Sequence, residues 1–433
     1  AVTALAIILA PAIFHIFSLQ PASGVDADIF RSVGTSLTRI FVVQIFFYGL
    51  SALTSALLNA RKLFFAAAWS PALANIVTIG FFCLLPFTKS GDNLSIDSVQ
   101  NDQAAIWILG LGTTLGIVVM AVVQGAAVLR HGLTFKFAPQ FAHPAVKKLV
   151  QLSLWTLGYV AANQVALVVI KNLASPGSGG VDAYSKAFVL LQLPHGLLAV
   201  SIATTFVPDL ARMFHRGDHQ QFSLTMANGI RLTALLTIPA SCGLWVMSKP
   251  IIGLLFQHGN FSAAATANTA RALSGLAIGL AGFSVYLFVL RGFYARNDTR
   301  TPFFINVGEN VINIVLAIVL VDRHGVFGLG LSFSIAYLVS ALVALLILES
   351  TEVDIKLSEL AFNIARIALA AGVMTCVVWF TIRQVGSDSG VGALSRVVTG
   401  TLIGAATYAV ALSALGEKTM RDYLSSKITK SSR

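Results

Sequence analysis

Apolar runs of nearly bilayer-spanning length recur along the whole chain, and they constrain the fold more than any other feature. Their approximate cores are 1–18, 37–58, 69–87, 104–129, 147–170, 184–207, 231–247, 269–292, 302–321, 326–348, 360–382 and 393–415. Each is close to the ~20 residues that carry a helix across a hydrocarbon core. In lipid, only helices and closed barrels satisfy every backbone polar group. Barrel strands alternate polar and apolar residues over about ten positions, and these runs do not alternate. The pattern predicts an all-α polytopic membrane protein. Composition agrees: 56% of the 433 residues are hydrophobic and only 11% are charged, too few charges to cover a soluble surface of that size.

The net charge is +11. In a soluble chain that would point to nucleic acid. Here the basic residues sit in short loops, no basic stripe is interleaved with aromatics, and no nucleic-acid partner is expected. The alternate loops 59–68, 130–148, 208–231, 291–301, 349–366 and 416–433 hold 19 of the 29 Lys and Arg residues, and the opposite side holds nine. Positive loops stay inside, so the first set and the C-terminus are expected in the cytoplasm. The polar, acidic loop TKSGDNLSIDSVQNDQ suits the outer side. Residues 1–18 then run outward. They lack a basic leader and a small-residue cleavage site, so they read as a span entered midway and not as a signal peptide. The tail KTMRDYLSSKITKSSR is basic. It is expected to lie on anionic lipid at the inner surface, with a protein partner as the other reading.

Familiar catalytic and metal patterns are missing. Cys83, Cys242 and Cys376 fall in three different runs, with no CxxC spacing. His215 and His219 are four residues apart, but RMFHRGDHQQF offers no third ligand, so a solvated segment is expected and no metal site. There is no GxSxG, HExxH or Walker A sequence. Asp26 and Asp28 form a lone DxD in a polar loop, which leaves a membrane glycosyltransferase as a distant third reading. The chain is not expected to be an enzyme or to need a cofactor.

Ionisable groups inside spans are costly and mark function by default. Of 18 acidic residues, 17 fall in loops or at span ends, and the exception is Glu309 in TPFFINVGENVINIVLAIVL. Asn306, Asn310 and Asn313 make this helix unusually polar. Glu309 and Asn313 share one face by i,i+4 spacing, as do Asn306 and Asn310. A carboxylate with amide oxygens suits a coupling Na+ or a carried proton. Asn163 and Gln164, or Ser332 and Ser334, are candidates to complete the site. Interhelical hydrogen bonding is the competing reading. Lys186 lies just inside the outer end of its span. It is either a cavity cation for a phosphate or diphosphate, or a side chain snorkelling to the interface. Pro194 and Gly196 lie mid-span, where a lost backbone bond bends the helix; the bend is either a transport hinge or a static kink. Arg39 and Arg271 read as interface anchors. GLAIGLAG and GVFGLGLS allow close helix approach.

Four segments together carry a resemblance: LNARKLFFAAAWSPALANIVTI, LLQLPHGLLAVSIATTFVPDLAR, LLFQHGNFSAAATANTARAL and GFYARNDTRTPFFI. In order and spacing they resemble the MurJ (MviN) family of lipid II flippases, within the MOP exporter superfamily, over essentially the whole chain. The resemblance implies a MATE-like two-lobe helical bundle with two extra C-terminal helices. It assigns 1–129 to an incomplete N-lobe of four spans, 130–348 to a C-lobe of six, 349–415 to two groove helices and 416–433 to the tail. It aligns the first run with the family's third helix, so the opening two helices, which carry several cavity arginines, are expected to be absent. The family often places Arg five residues before the Pro of QLP-x-G. Here that position is Val189, and Lys186, about one turn away, stands in as a point charge. A sodium site in the family's C-lobe adds interest to the Glu309 helix.

The function implied is movement of lipid II, the undecaprenyl-diphosphate-linked sugar-peptide precursor of peptidoglycan, across a bacterial cytoplasmic membrane by alternating access. Membrane lipids and proteins of cell-wall synthesis or division are the expected partners. The alternatives are an exporter of another lipid-linked saccharide or small molecule, or a non-transporting scaffold.

Overall fold

A computed structural model describes residues 2–91, 95–132, 144–351 and 354–416, with the backbone alone for 144–152. The basic tail after residue 416 and part of the loop 130–148 lie outside the described residues. The described residues are helical, with no strand among them. In chain order the α-helices are α1 Val2–Ile8, α2 Ala10–Ile16, α3 Ala27–Phe41, α4 Gln44–Ala60, α5 Phe64–Phe82, α6 Ile96–Gln100, α7 Gln103–Arg130, α8 Pro144–Leu173 and α9 Gly180–Pro194. They continue with α10 Ser201–His215, α11 His219–Val246, α12 Ser248–Phe256, α13 Ala263–Ala277, α14 Leu280–Ala295, α15 Arg300–His324, α16 Val326–Glu349, α17 Leu357–Gln384 and α18 Gly390–Ala414.

Among the described residues, ten helices are long and apolar enough to cross a membrane, or eleven if the bent pair α13 and α14 is one span. These account for eleven of the twelve runs. The exception is 1–18, which forms two helices of seven residues each, α1 and α2, broken at Leu9. Pro11 explains the break: it lacks an N–H, and its ring crowds the preceding turn. The second run also begins earlier than expected. α3 and α4 together cover Ala27–Ala60, because the amphipathic α3 is too polar to register as apolar sequence. Asp26 caps α3, its carboxylate accepting from the N–H groups of Asp28 and Ile29. That accounts for one half of the DxD.

The chain divides into two compact units, Ala1–His143 and Pro144–Arg433. In the first, α7 packs against α3, α4 and α5. The buried Gln124 joins three helices: its Oε1 accepts from Ser51 (2.8 Å) and Thr54 (2.9 Å), and its Nε2 donates to Ser70 (2.6 Å). Lipid tails are as apolar as leucine, so bonds of this kind help supply the cohesion that water would otherwise drive. At the polar start of α7, Asp102 accepts from the Ser90 N–H (2.7 Å) and hydroxyl (2.9 Å) and from the Ala105 N–H (3.2 Å).

In the second unit, α16 is more enclosed than any other unbroken candidate span, with 56% of its most apolar stretch buried. It lies against α13, α14 and α15. The approach is backbone to backbone. A Cβ on Gly275 would fall 2.5 Å from the Phe327 carbonyl oxygen, and one on Gly330 2.7 Å from the Leu276 nitrogen. The two glycine-rich stretches face each other as a close-packed seam. α13 and α14 meet at a 46° bend. The pair α17 and α18 packs on itself and on α11 and α12. Tyr408 donates to the Leu235 carbonyl at 2.8 Å. Between α17 and α18, Asp388 pairs with Lys249 at 2.8 Å and with Arg396. Partial burial opposes ionisation there, but the two cations prevail and hold its carboxyl below the usual range.

Asp102 yields a pH prediction. The Ser90 backbone N–H, with further donors and against the cost of burial, lowers its carboxyl from 3.8 to about 2. A depressed carboxyl adds stability that is full above the unfolded value and lost as pH falls through the folded one. Protection of the Ser90 and Ala105 amides against hydrogen exchange, relative to the intrinsic rate at each pH, should therefore stay high down to about pH 4 and drop as pH falls toward 2. Asp102→Asn should give the lower protection already at neutral pH. Equal protection in both proteins would contradict this.

Candidate functional site

The polar stripe of α15 is the strongest candidate. The helix starts cleanly because Asp298 Oδ1 accepts from the N–H groups of Arg300 and Thr301, both at 3.0 Å. Glu309 lies nine residues further, about 14 Å along the axis at 1.5 Å per residue. Asn306, Glu309, Asn310 and Asn313 are all buried, and Glu309 is 1% exposed.

These side chains meet partners from neighbouring helices. Asn163 on α8 donates to Asn306 Oδ1 at 3.2 Å and to the Tyr159 carbonyl at 2.8 Å. Asn306 Nδ2 donates to Glu309 Oε2 at 3.4 Å. Asn310 donates to the Asn306 carbonyl at 2.9 Å and reaches Asn163 Oδ1 at 3.5 Å. On α16, Ser332 donates to Asn313 Oδ1 at 3.0 Å. Asn163 and Ser332 therefore join the cluster. Gln164 is exposed, and Ser334 turns to the carbonyls of Gly275 (2.6 Å) and Leu276 (3.1 Å) instead.

Two features leave the cluster chemically incomplete. Glu309 has no cationic partner among the ion pairs of the described residues. A carboxylate in such a place must take a proton or a cation, since an isolated buried charge is prohibitively costly. Tyr286 is fully buried, and its hydroxyl makes no well-formed hydrogen bond among the described residues, with the Asn306 amide and the Tyr159 hydroxyl the polar groups beside it. Its ring lies 5.4 Å from that of Tyr337, edge to face. Nothing in the sequence singles out these tyrosines, because a tyrosine in an apolar run looks like ordinary packing. A cavity of about 300 Å³ between α8 and α14 is lined by Trp155, Tyr159, Arg291 and Tyr294 among others. One of these residues, Tyr159, accepts from Asn163 through its carbonyl.

Lys186 does not stand free. It pairs with Asp182 one turn earlier on α9, and its Nζ lies 5.5 Å from the centre of the Phe261 ring. Its charge is partly neutralised by the carboxylate, and its ammonium lies over an aromatic face. Pro194 and Gly196 sit where α9 gives way to a π-helical segment, His195–Val200, before α10 begins. Proline removes an N–H from the α ladder, and the wider π turn accommodates the loss. Within it, His195 Nδ1 lies 3.0 Å from Ser284 Oγ, and its ring lies tilted against Phe283, with ring centres 4.5 Å apart. No group of three or more His, Cys, Asp or Glu that would hold a metal occurs among the described residues.

Known proteins give this geometry a context. A "Probable lipid II flippase MurJ" of Rhizobium meliloti (strain 1021) is 28% identical over 364 residues, covering 84% of this chain and 66% of its own. A "Lipid II flippase MurJ" of Burkholderia cenocepacia is 27% identical over 343 residues, covering 78% and 64%. The chain thus spans less than two thirds of the length of these curated relatives. A solved structure, "Lipid II flippase MurJ, inward closed conformation", superposes with a TM-score of 0.74 at 22% identity, covering 98% of this chain and 81% of that one. This last likeness is one of fold. The model of the family described as "Lipid II flippase MurJ" matches residues 1–426, and on that match the chain belongs to the MurJ family.

Proposed function

We propose that the protein carrying this chain moves lipid II from the inner to the outer leaflet of a bacterial cytoplasmic membrane by alternating access. The observation that supports this is the family match over residues 1–426. In this reading no covalent bond is made or broken. The sugar–diphosphate headgroup crosses in a polar cavity, and the polyprenyl tail stays in lipid beside α17 and α18. The π-helical segment after Pro194 serves as a hinge. The C-terminus lies in the cytoplasm, on the side of the 19 basic loop residues. Membrane potential can drive a charged step, at about 2.3 kcal/mol per charge per 100 mV. Cells depleted of their own lipid II flippase should regain growth when they express this protein. Lysis despite full membrane insertion would refute the reading.

Glu309, with Asn306, Asn310, Asn313, Asn163 and Ser332, is proposed to take up the coupling Na+ or H+. The support is a buried carboxylate that accepts from the Asn306 amide, next to the Ser332–Asn313 bond, with no cation paired to it among the described residues. In vesicles, Glu309→Gln should make headgroup movement independent of sodium and of the pH gradient. A dependence identical to that of the parent would remove Glu309 from the mechanism.

Lys186 is proposed to contact the diphosphate at a stage when Asp182 releases it. Lys186→Ala should slow flipping several-fold, whereas Asp182→Asn, which frees the ammonium, should preserve or raise the rate. If Lys186→Ala flips at the parental rate, the Lys186–Asp182 pair is only structural.

A further inference from the structure

In the first unit, α3 presents a polar stripe that neither the coupling site nor the packing uses. Asp28, Arg31, Ser32, Thr35, Ser36 and Arg39 follow one another at 0, 3, 4, 7, 8 and 11 positions, which places them on one helical face. All six line a groove of about 650 Å³, closed on its other side by α2 through Pro11, Ala12 and His15.

The opposite face of α3 fixes this orientation. The Phe30 ring packs 5.4 Å from that of Phe14 on α2. Gly34 lies so close to Phe14 that a Cβ would come within 2.0 Å of its ring. Further along, Thr114 of α7 donates to the Ile40 carbonyl at 3.2 Å. The helix is therefore clamped between α2 and α7, and its polar stripe cannot roll away from the groove.

The chemistry of the stripe is that of a phosphate-ester binder. Arg31 is anchored rather than loose: Nη2 donates to the Ser18 carbonyl at 3.1 Å, while its Nε is buried with no acceptor among the described residues. Arg39 is exposed, and no ion pair joins either arginine to Asp28 or to any other acid among the described residues. The two guanidinium groups start about 12 Å apart along the axis, with three hydroxyls between them. Guanidinium forks suit phosphate oxygens, and hydroxyls suit both phosphate and sugar. A face built only to be wetted would not hold one arginine in place while leaving its Nε–H without an acceptor.

We propose that this groove binds a phosphate-ester anion, with Arg31 and Arg39 gripping it from the two ends and Ser32, Thr35 and Ser36 filling the middle. The binding claim does not depend on lipid II transport. Only its placement on the outer face, where a delivered headgroup would arrive, rests on the proposed orientation.

The test is equilibrium binding to the full chain in nanodiscs of zwitterionic lipid, with two probes, inorganic pyrophosphate and a short-chain polyprenyl diphosphate. Arg31→Gln with Arg39→Gln should weaken binding by about tenfold or more, since charge-assisted bonds are lost at both ends. Arg39→Lys should fall between the parent and that double variant. Asp28→Asn, which removes the one carboxylate on the stripe, should tighten binding, and it keeps the proposal testable if the double variant folds poorly. Loss with both probes supports a general phosphate site, and loss with the polyprenyl diphosphate alone supports a lipid headgroup as the source. Parental affinity of the double variant for both probes, or unchanged affinity on Asp28→Asn, overturns the proposal. A failure of flipping in cells would leave these binding results standing.

Discussion

The hydrocarbon core of a bilayer offers no water, and every other feature of this molecule follows from that. Backbone groups must pair within their own segment, which forces helices. Polar side chains must then pair between helices, because no solvent will take them. Two buried networks meet this demand differently. Around Gln124, hydroxyls of Ser51, Thr54 and Ser70 satisfy one neutral amide, and the account closes. Around Glu309 it does not close: among the described residues no cation pairs with the carboxylate. The first network is a joint. The second is where an exchangeable particle would change the energy of the protein most.

Much of the fold was legible in the sequence because span length and span spacing are set by bilayer thickness. Eleven of the twelve runs correspond to long helices, with the bent pair counted once. The failures have physical causes. Residues 1–18 looked continuous, since hydropathy averages over a proline that breaks the helix. α3 was overlooked because an amphipathic helix has low mean hydropathy and hides inside a loop. Glu309 stood out as the single acid away from loops and span ends. Its partners did not, because Ser332 and Ser334 look alike in sequence, and only the helix phase sends one to Asn313 and the other to Gly275.

Charge counting is the basis of the proposed orientation but says nothing of which charges are already spoken for. Lys249 and Arg396 share Asp388, and Lys186 has Asp182. Arg31 and Arg39 have no acid paired to them among the described residues. Residues that count equally in a topology argument thus differ in what they have left to offer a ligand. That difference became visible only with the helices in place.

The π-helical segment at His195–Val200 has one more consequence. Each π-type turn takes up one residue beyond an α turn, which is about 100° of helical phase. The faces of α9 and α10 are therefore not continuations of each other, although the two form one apolar stretch, Gly180–His215. A residue that shares a stripe with Lys186 before Pro194 has no counterpart on that stripe after Val200. Any scheme that projects this span on a single helical wheel will place half of its residues on the wrong wall. The span presents two rods whose faces are offset by a fixed phase, so each half meets its neighbours on a different azimuth.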